Sequence, residues 1–395
     1  MKKLFYLLLI ICMISCNGRQ NNKASKPTET IPVDLSINET SKMNEVIEKI
    51  ELIPLQTDTN CLVSAYDKVE YSKELDMYML LDKRMVVSLF GGDGTFLGDS
   101  KNHIGDGPNE YRTAVDVSYN PHSKAIEILN PFGNIYRYDT SFQFQEKISL
   151  EKNDKVYARF YPLSKDEYIL TPAMTGYQDA LLLFCNYTNK QIVKQVSYQE
   201  DCISSITMNY NPFFKVKNEL IFSPLNLNYH FYRVDKTQQK ITPIIQLDLQ
   251  KDAINRTSLI DQFGEPSRKN NDRENVEQNL KVLNEINAHL LNSGQPLPII
   301  KFYNERYVYV YFLQKNRRVS YIYNKERHQS YLLTDKAPQR LYFCLRLQDN
   351  CLFALVQPYE IEEYIDPALL STEHQQILQS IQDEDNAIVV KYYLK

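Results

Sequence analysis

The sequence predicts an all-β fold, a six-bladed β-propeller with four-stranded blades, N- and C-terminal strands closing the last blade, and two helical insertions. Three observations lead there. Short apolar-aromatic runs alternate with polar turns along nearly the whole chain. They group in fours, at about 44 residues per group once two helical stretches are set aside, close to the ~40–45 residues of a propeller blade. Composition agrees, because 29 Tyr and 17 Phe with no Trp suit pleated, half-buried surfaces, while only 11 Gly occur in 395 residues. With 43% hydrophobic and 24% charged residues, the chain is not disordered, collagen-like or a multi-span membrane protein.

Taken from the N-terminus, Lys2 and Lys3 precede an apolar run from Leu4 to Ile14. That run is too short for a bilayer-spanning helix of ~20 residues but suits the core of a secretory signal. Met13-Ile14-Ser15-Cys16 resembles a bacterial lipobox, which implies cleavage after residue 15 and acylation of Cys16. Two or three acyl chains on one residue give stable membrane attachment. Residues 16–44 then read as a flexible polar tether, and residues 45–395 as the propeller.

Within the propeller, Ile47 to Leu55 is a strand reserved for the last blade. The first set runs through Leu62–Tyr71, Tyr78–Asp82, Val86–Phe90 and Thr95–Leu97, the last pair turning at Gly91-Gly92-Asp93-Gly94. The second uses Ala114–Tyr119, Ala125–Leu129, Ile135–Tyr138 and Phe144–Leu150. The third covers Arg159 to Tyr198, the fourth Phe213 to Leu249, and the fifth Ile299 to Thr334. The sixth has only Leu341–Leu347 and Cys351–Val356, and is completed by Ala387–Tyr393 and the N-terminal strand, which closes the ring. Helical spacing at Val276, Leu280, Leu283, Ile286 and Leu290, and at Ile377, Leu378 and Ile381, places insertions at about 253–297 and 359–385. A large sandwich or two separate β domains are the structural alternatives.

The segment Ile47 to Thr57 is similar to the first strand of the six-bladed β-propeller lipoproteins of Bacteroidetes, an NHL-like group. So are Phe90-Gly91-Gly92-Asp93-Gly94-Thr95-Phe96-Leu97 with Ile104-Gly105-Asp106-Gly107-Pro108-Asn109-Glu110-Tyr111, and the closing Asp385 to Leu394, where Ala387 replaces the usual proline. The resemblance spans nearly the whole mature chain and implies the propeller architecture, but it adds little chemistry.

The Gly105–Tyr111 loop joins the first two blades, its glycines permitting positive φ and Pro108 stiffening the crossing. At the mouth of the central channel, Asp106, Asn109, Glu110, Tyr111 and Arg112 are the ligand-binding candidates. Catalytic signatures are absent: there is no G-x-S-x-G elbow, no C-x-x-C, and no metal spacing among the six His. No metal or other cofactor is assigned, with channel Ca²⁺ on oxygens from Asp93, Asp99, Asp106 and Glu110 as the alternative. The odd number of cysteines left after Cys12 and Cys16 argues for buried free thiols. Losing Lys2 and Lys3 with the signal takes the formal charge from −4 to about −6, and no basic stripe exists to hold nucleic acid. Tyr303, Tyr307, Tyr309, Tyr311, Tyr321 and Tyr323 alternate along the fifth set and read mainly as packing, with stacking on a sugar or peptide as the functional alternative.

The expected protein is a lipid-anchored module of the bacterial outer membrane, facing the periplasm because no acidic run follows Cys16. It would reach the membrane through its N-terminal lipid and bind an unassigned protein or glycan ligand. The alternatives are a calcium-dependent hydrolase or sugar-processing lyase using channel carboxylates, and a structural subunit of an outer-membrane complex.

Overall fold

The structure, a computed structural model, describes residues 26–36, 40–63, 65–173, 180–197, 203, 211–265, 273–315, 317–337 and 339–395. The signal segment and Cys16 lie outside the described residues. The described strands are β1 (Glu29–Pro32) and β2 (Ile47–Pro54), followed by six sets. Blade 1 is β3 (Tyr66–Ser72), β4 (Met77–Asp82), β5 (Val87–Gly91) and β6 (Phe96–Asp99). Blade 2 is β7 (Asp116–Asn120), β8 (Ala125–Leu129), β9 (Asn134–Tyr138) and β10 (Phe144–Ser149). Blade 3 is β11 (Tyr157–Pro162), β12 (Glu167–Pro172), β13 (Ala180–Asn186) and β14 (Gln191–Ser197). Blade 4 is β15 (Phe213–Val216), β16 (Glu219–Phe222), β17 (His230–Asp235) and β18 (Lys240–Asp248), with β1 added outside β18. Blade 5 is β19 (Leu297–Tyr303), β20 (Tyr307–Gln314), β21 (Arg317–Asn324) and β22 (Gln329–Thr334). Blade 6 is β23 (Arg346–Gln348), β24 (Cys351–Val356) and β25 (Ile388–Leu394), with β2 as its outermost strand.

These six sheets form the propeller that the repeat predicts. The first strands β3, β7 and β11 neighbour one another in turn, as do β19 and β23, so they form the inner ring. Antiparallel order then fixes what each face carries. The turns after the first and third strand of each blade emerge on one face, and all connections between blades emerge on the other. The first kind are tight hairpins held by left-handed residues such as Asp76 (φ 46), Lys124 (φ 55), Lys190 (φ 56) and His328 (φ 50). Both helical insertions leave from the opposite face.

The first insertion holds α1 (Arg256–Phe263) and α2 (Arg273–Ser293). Asn255 caps α1 by accepting from the Ser258 N–H at 3.2 Å, and Gly264 (φ 85) ends it. Helix α2 buries Val282, Ile286 and Leu290 in the cluster that also holds Leu259, Phe214 and Ile299. The second insertion runs through a 3₁₀ segment, Pro358–Tyr364, to α3 (Thr372–Ser380), capped by the Ser371 hydroxyl. Helix α3 and the Leu370 bridge to Ile50 lie against β2, the outer strand of blade 6. In the sixth set the strand is shorter than expected, Arg346–Gln348 rather than Leu341–Leu347. Cys61, Cys185, Cys344 and Cys351 are buried free thiols, and burial pushes Cys185 and Cys351 up to about 12.

Closure follows the expected plan. Strand β2 pairs antiparallel with β25 from Ile47–Leu394 to Pro54–Ile388, joining both ends of the propeller chain in one sheet. Gly94 (φ 88) in the turn before β6 lies against the Pro54 carbonyl, where a Cβ has no room, and its own carbonyl accepts from the Gln56 N–H at 2.8 Å. Blade 1 is thereby keyed to the closing strand.

The tether reading needs correction. Residues 28–35 are docked along blade 4: β1 pairs in parallel with β18, and the N–H groups of Thr28 and Val33 bond to the Ile244 and Asp248 carbonyls at 2.9 Å. Ile31, Val33 and Leu35 are buried there. The chain then crosses to blade 5, where the Tyr321 hydroxyl donates to the Pro32 carbonyl at 2.6 Å and the Ser41 N–H donates to the Leu332 carbonyl at 2.7 Å. The N-terminal segment is therefore a strap around the outer edges of blades 4 and 5 that ends as the outer strand of blade 6. Truncating Ile31 to Ala should destabilise the protein by about 2–5 kcal/mol, the usual cost of a buried aliphatic side chain. Urea unfolding checks it, and an unchanged midpoint would mean that the segment is not docked.

Candidate functional site

Several polar side chains of the inner strands bond from one blade to the next. Lys68 of β3 places Nζ 2.9 Å from Asp116 Oδ1 of β7, and Asp116 Oδ2 accepts from the Phe160 N–H of β11 at 2.9 Å, which ties blades 1, 2 and 3. Arg346 of β23 donates to the Tyr71 carbonyl at 2.9 Å and lies 3.4 Å from Glu70 Oε1, tying blade 6 to blade 1. Asn211, just before β15, reaches the Val69 and Leu345 carbonyls, both at 3.0 Å. It thus bridges blade 4 to blades 1 and 6 across the axis. Burial, with Glu70 adding to it, pushes the Tyr161 phenol up to about 12.

The Gly105–Arg112 loop is on the face of the inter-blade connections, as its place between β6 and β7 requires. Its glycines serve a different purpose from the one expected, since positive φ occurs at neither Gly105 nor Gly107. A Cβ at either position would run into the Glu110 carboxyl group, which folds back into its own loop and accepts from the Gly107 N–H at 2.8 Å. Tyr111 is fully buried: its hydroxyl donates to the Met85 carbonyl at 2.8 Å and receives the Ser100 hydroxyl at 2.6 Å. Tyr138 donates to the Asn109 carbonyl at 2.9 Å. Asp106 and Arg112 form an exposed bidentate ion pair, and Arg112 holds the Asp106 carboxyl below its ordinary value. The loop is thus a bonded crossing, with Asp106, Pro108, Asn109 and Arg112 turned outward. A shallow hollow does border it, shared with Asn130, Phe132, Tyr136 and Lys147.

A second hollow on the same face, a cleft of about 360 Å³ between blades 5 and 6, is richer in binding chemistry. Its walls are the upper ends of β20, β21 and β22, the connection into blade 6 and the 3₁₀ segment of the second insertion. Tyr342 and Phe343 have ring centroids 4.4 Å apart, Tyr364 stands edge-on to Tyr342 at 4.8 Å, and Tyr311 lies 6.2 Å from Phe343. Tyr359 projects at the rim, 72% exposed. Arg340 stacks over the Tyr364 ring at 5.2 Å and is paired with Glu363. Burial, reinforced by Tyr364 and opposed by Arg318 and Arg340, pushes Tyr311 up to about 12. Arg318 is exposed and has no ion-pair partner among the described residues, and Asp335 and Glu360 complete the polar lining.

Sequence reasoning found this cleft only in part. Of the six tyrosines alternating along the fifth set, Tyr307, Tyr309 and Tyr321 are packing residues, each at most 1% exposed, and Tyr311 alone lines the cleft. Arg318 sits beside Arg317 in the sequence, and no motif there sets it apart from solvated surface. Among the described residues no three His, Cys, Asp or Glu side chains converge as metal ligands would. None of the described helices is long and apolar enough to cross a membrane.

Comparison with known proteins places the chain. Residues 28–393 match the family described as a domain of unknown function (DUF4934), and the chain belongs to it. No curated protein matches the sequence. The crystal structure of an exported protein from Bacteroides fragilis is similar in fold, with TM-score 0.69 and 15% identity over 93% of this chain and 99% of that one. BamB from Moraxella catarrhalis superposes with TM-score 0.38 and 8% identity over 78% of this chain and 73% of its own.

The loop geometry has an unequal consequence for two adjacent residues. Tyr111→Phe should cost about 1–3 kcal/mol by leaving buried partners unsatisfied, whereas Arg112→Ala, whose ion pair is solvent-exposed, should leave the unfolding midpoint unchanged. Denaturant unfolding of both variants checks the contrast.

Proposed function

We propose that this chain is an exported, lipid-anchored propeller of the cell envelope that binds a ligand in the cleft between blades 5 and 6. The observation that carries the reading is the convergence of five aromatic side chains, an arginine with no ion-pair partner among the described residues, and two carboxylates in one hollow, on the face where both insertions emerge. Largely apolar hollows with a few placed polar groups are the usual form of a ligand site. Elsewhere on that face Asn211 bonds across the axis and the Gly105–Arg112 loop is pinned to blade 2.

Export is supported by the signal-like segment before Cys16, and by the fold shared with a Bacteroides protein described as exported. Anchoring at Cys16 has a geometric consequence. The strap is bonded from Thr28 onward, so the intervening residues 17–27 can span no more than about 40 Å. The propeller would be held near the bilayer by the outer edge of blade 4, on the periplasmic side.

Two measurements test the reading. Cys16→Ser should move the protein from the membrane pellet to the soluble fraction and abolish palmitate labelling, and unchanged fractionation would refute the anchor. In a thermal-shift screen with a mixed small-molecule library, compounds that raise Tm should lose their effect in Arg318→Ala/Tyr359→Ala, because both side chains line the cleft and both are exposed. Stabilisation that persists in the double variant would place binding elsewhere.

A further inference from the structure

The chemistry of the cleft also restricts what can fill it. An extended peptide gains affinity mainly by adding to a free strand edge, and the cleft offers none. Strands β20 and β21 are each paired on both sides. The outer edge of β22 is taken by the strap, with the Leu332 carbonyl accepting from Ser41 and the Leu332 and Thr334 N–H groups donating to the Ser41 and Thr40 hydroxyls. Recognition there must come from side chains.

Those side chains are of two kinds. Tyr342, Phe343 and Tyr359 present ring surface to the cleft above the buried Tyr311 and Tyr364, which suits a flat, partly apolar body. Arg340, Asp335 and Glu360 are planar groups able to donate to or accept from adjacent hydroxyls in pairs. Arg340 is already oriented by Tyr364 and Glu363, so it can be used with little loss of freedom. Arg318 stands apart: it is a guanidinium at the wall formed by Tyr311 with no carboxylate partner among the described residues, the arrangement that accepts an anionic group bidentately.

We infer that the cleft takes an acidic sugar, a uronic-acid residue of an oligosaccharide, with its ring against the tyrosines and its carboxylate on Arg318. The inference rests on the cleft being the binding site and adds the ligand class. At about 360 Å³ the hollow is near the lower bound for ligand sites, which suits one or two sugar rings rather than a long chain.

Calorimetric titration of the full-length protein with trigalacturonate and with a glucuronate trisaccharide tests it, against the neutral galactose and glucose counterparts and a tripeptide with a free C-terminal carboxylate. At least one uronate should bind saturably, and its neutral counterpart on the order of tenfold more weakly or worse. Arg318→Ala should weaken uronate binding on the order of ten- to a hundredfold, the scale of one charge-assisted hydrogen bond. Tyr359→Ala should weaken acidic and neutral sugars alike, and both variants should keep the wild-type Tm. Silence with both uronates, equal affinity for neutral sugars, or indifference to Arg318→Ala would overturn the assignment. Binding of the peptide in a manner abolished by Arg318→Ala/Tyr359→Ala, with no uronate binding, would leave the cleft as the site and reject the sugar.

Discussion

A ring of twisted sheets keeps its shape only if its ends are joined, and here the join is the pairing of β2 with β25 inside blade 6. Every inter-blade packing surface depends on that pairing, because a parted blade would expose the apolar faces of its two neighbours. The strap extends the same device: by running along blades 4 and 5 before entering blade 6, the N-terminal segment makes half the ring a single stitched unit. It also covers the outer edges of blades 4 and 5, while α3 lies against that of blade 6. In blades 1, 2 and 3 the outer pairings each contain a register shift, which twists the edge away from any incoming strand.

Between blades the contacts are mixed, and the polar ones deserve a physical account. Glu127 of β8 and Arg137 of β9 are fully buried, 2.8 Å apart, with Tyr168 of β12 bonding both across the boundary between blades 2 and 3. Burial pushes the Glu127 carboxyl up, against the pull of Arg137, Tyr168 and Asn120. A buried pair of this kind is seldom more stable than a well-packed apolar substitute, yet removing one partner leaves an uncompensated charge. Its value here is directional. A flat apolar face can slide on its neighbour, whereas Arg137 meets its partners on blade 3 in one register only. The Lys68–Asp116 pair does the same between blades 1 and 2.

The sequence carried the architecture because propeller folding is local. Each blade is a meander whose turn residues and alternation lie close together in sequence, so the fourfold grouping and both insertions could be read directly, while the closing strands follow from the two that the sixth set lacks. What escaped was non-local. Glu29–Pro32 is only four residues long, and although Ile31, Val33 and Leu35 alternate as a strand would, nothing in Thr28 to Ser36 announces that β18 is its partner. The cleft draws on residues from Ile299 to Tyr364 in two blades and an insertion, and Arg318 gains its meaning only from Tyr311 and from the lack of a carboxylate partner among the described residues. The Gly105–Tyr111 motif was legible as structural, but glycine was read as backbone freedom when its effect is space for Glu110.

The same topology explains why binding chemistry gathers on one face. The turns after the first and third strand of a blade are short because the strands they join are adjacent, and two to five residues can hold little more than their own turn. Connections between blades must travel from the rim of one sheet to the axis of the next, so they are long enough to vary without disturbing the ladder. In this chain those longer connections include the helical insertion of α1 and α2, the Gly105–Arg112 crossing and the segment from Asp335 to Leu345. The second insertion, placed between β24 and β25, opens on that face as well, and its 3₁₀ turn reaches back to form one wall of the cleft. A site built there can change its ligand by altering loop residues alone, while the strands beneath it, bonded on both sides, hold the walls at a fixed separation.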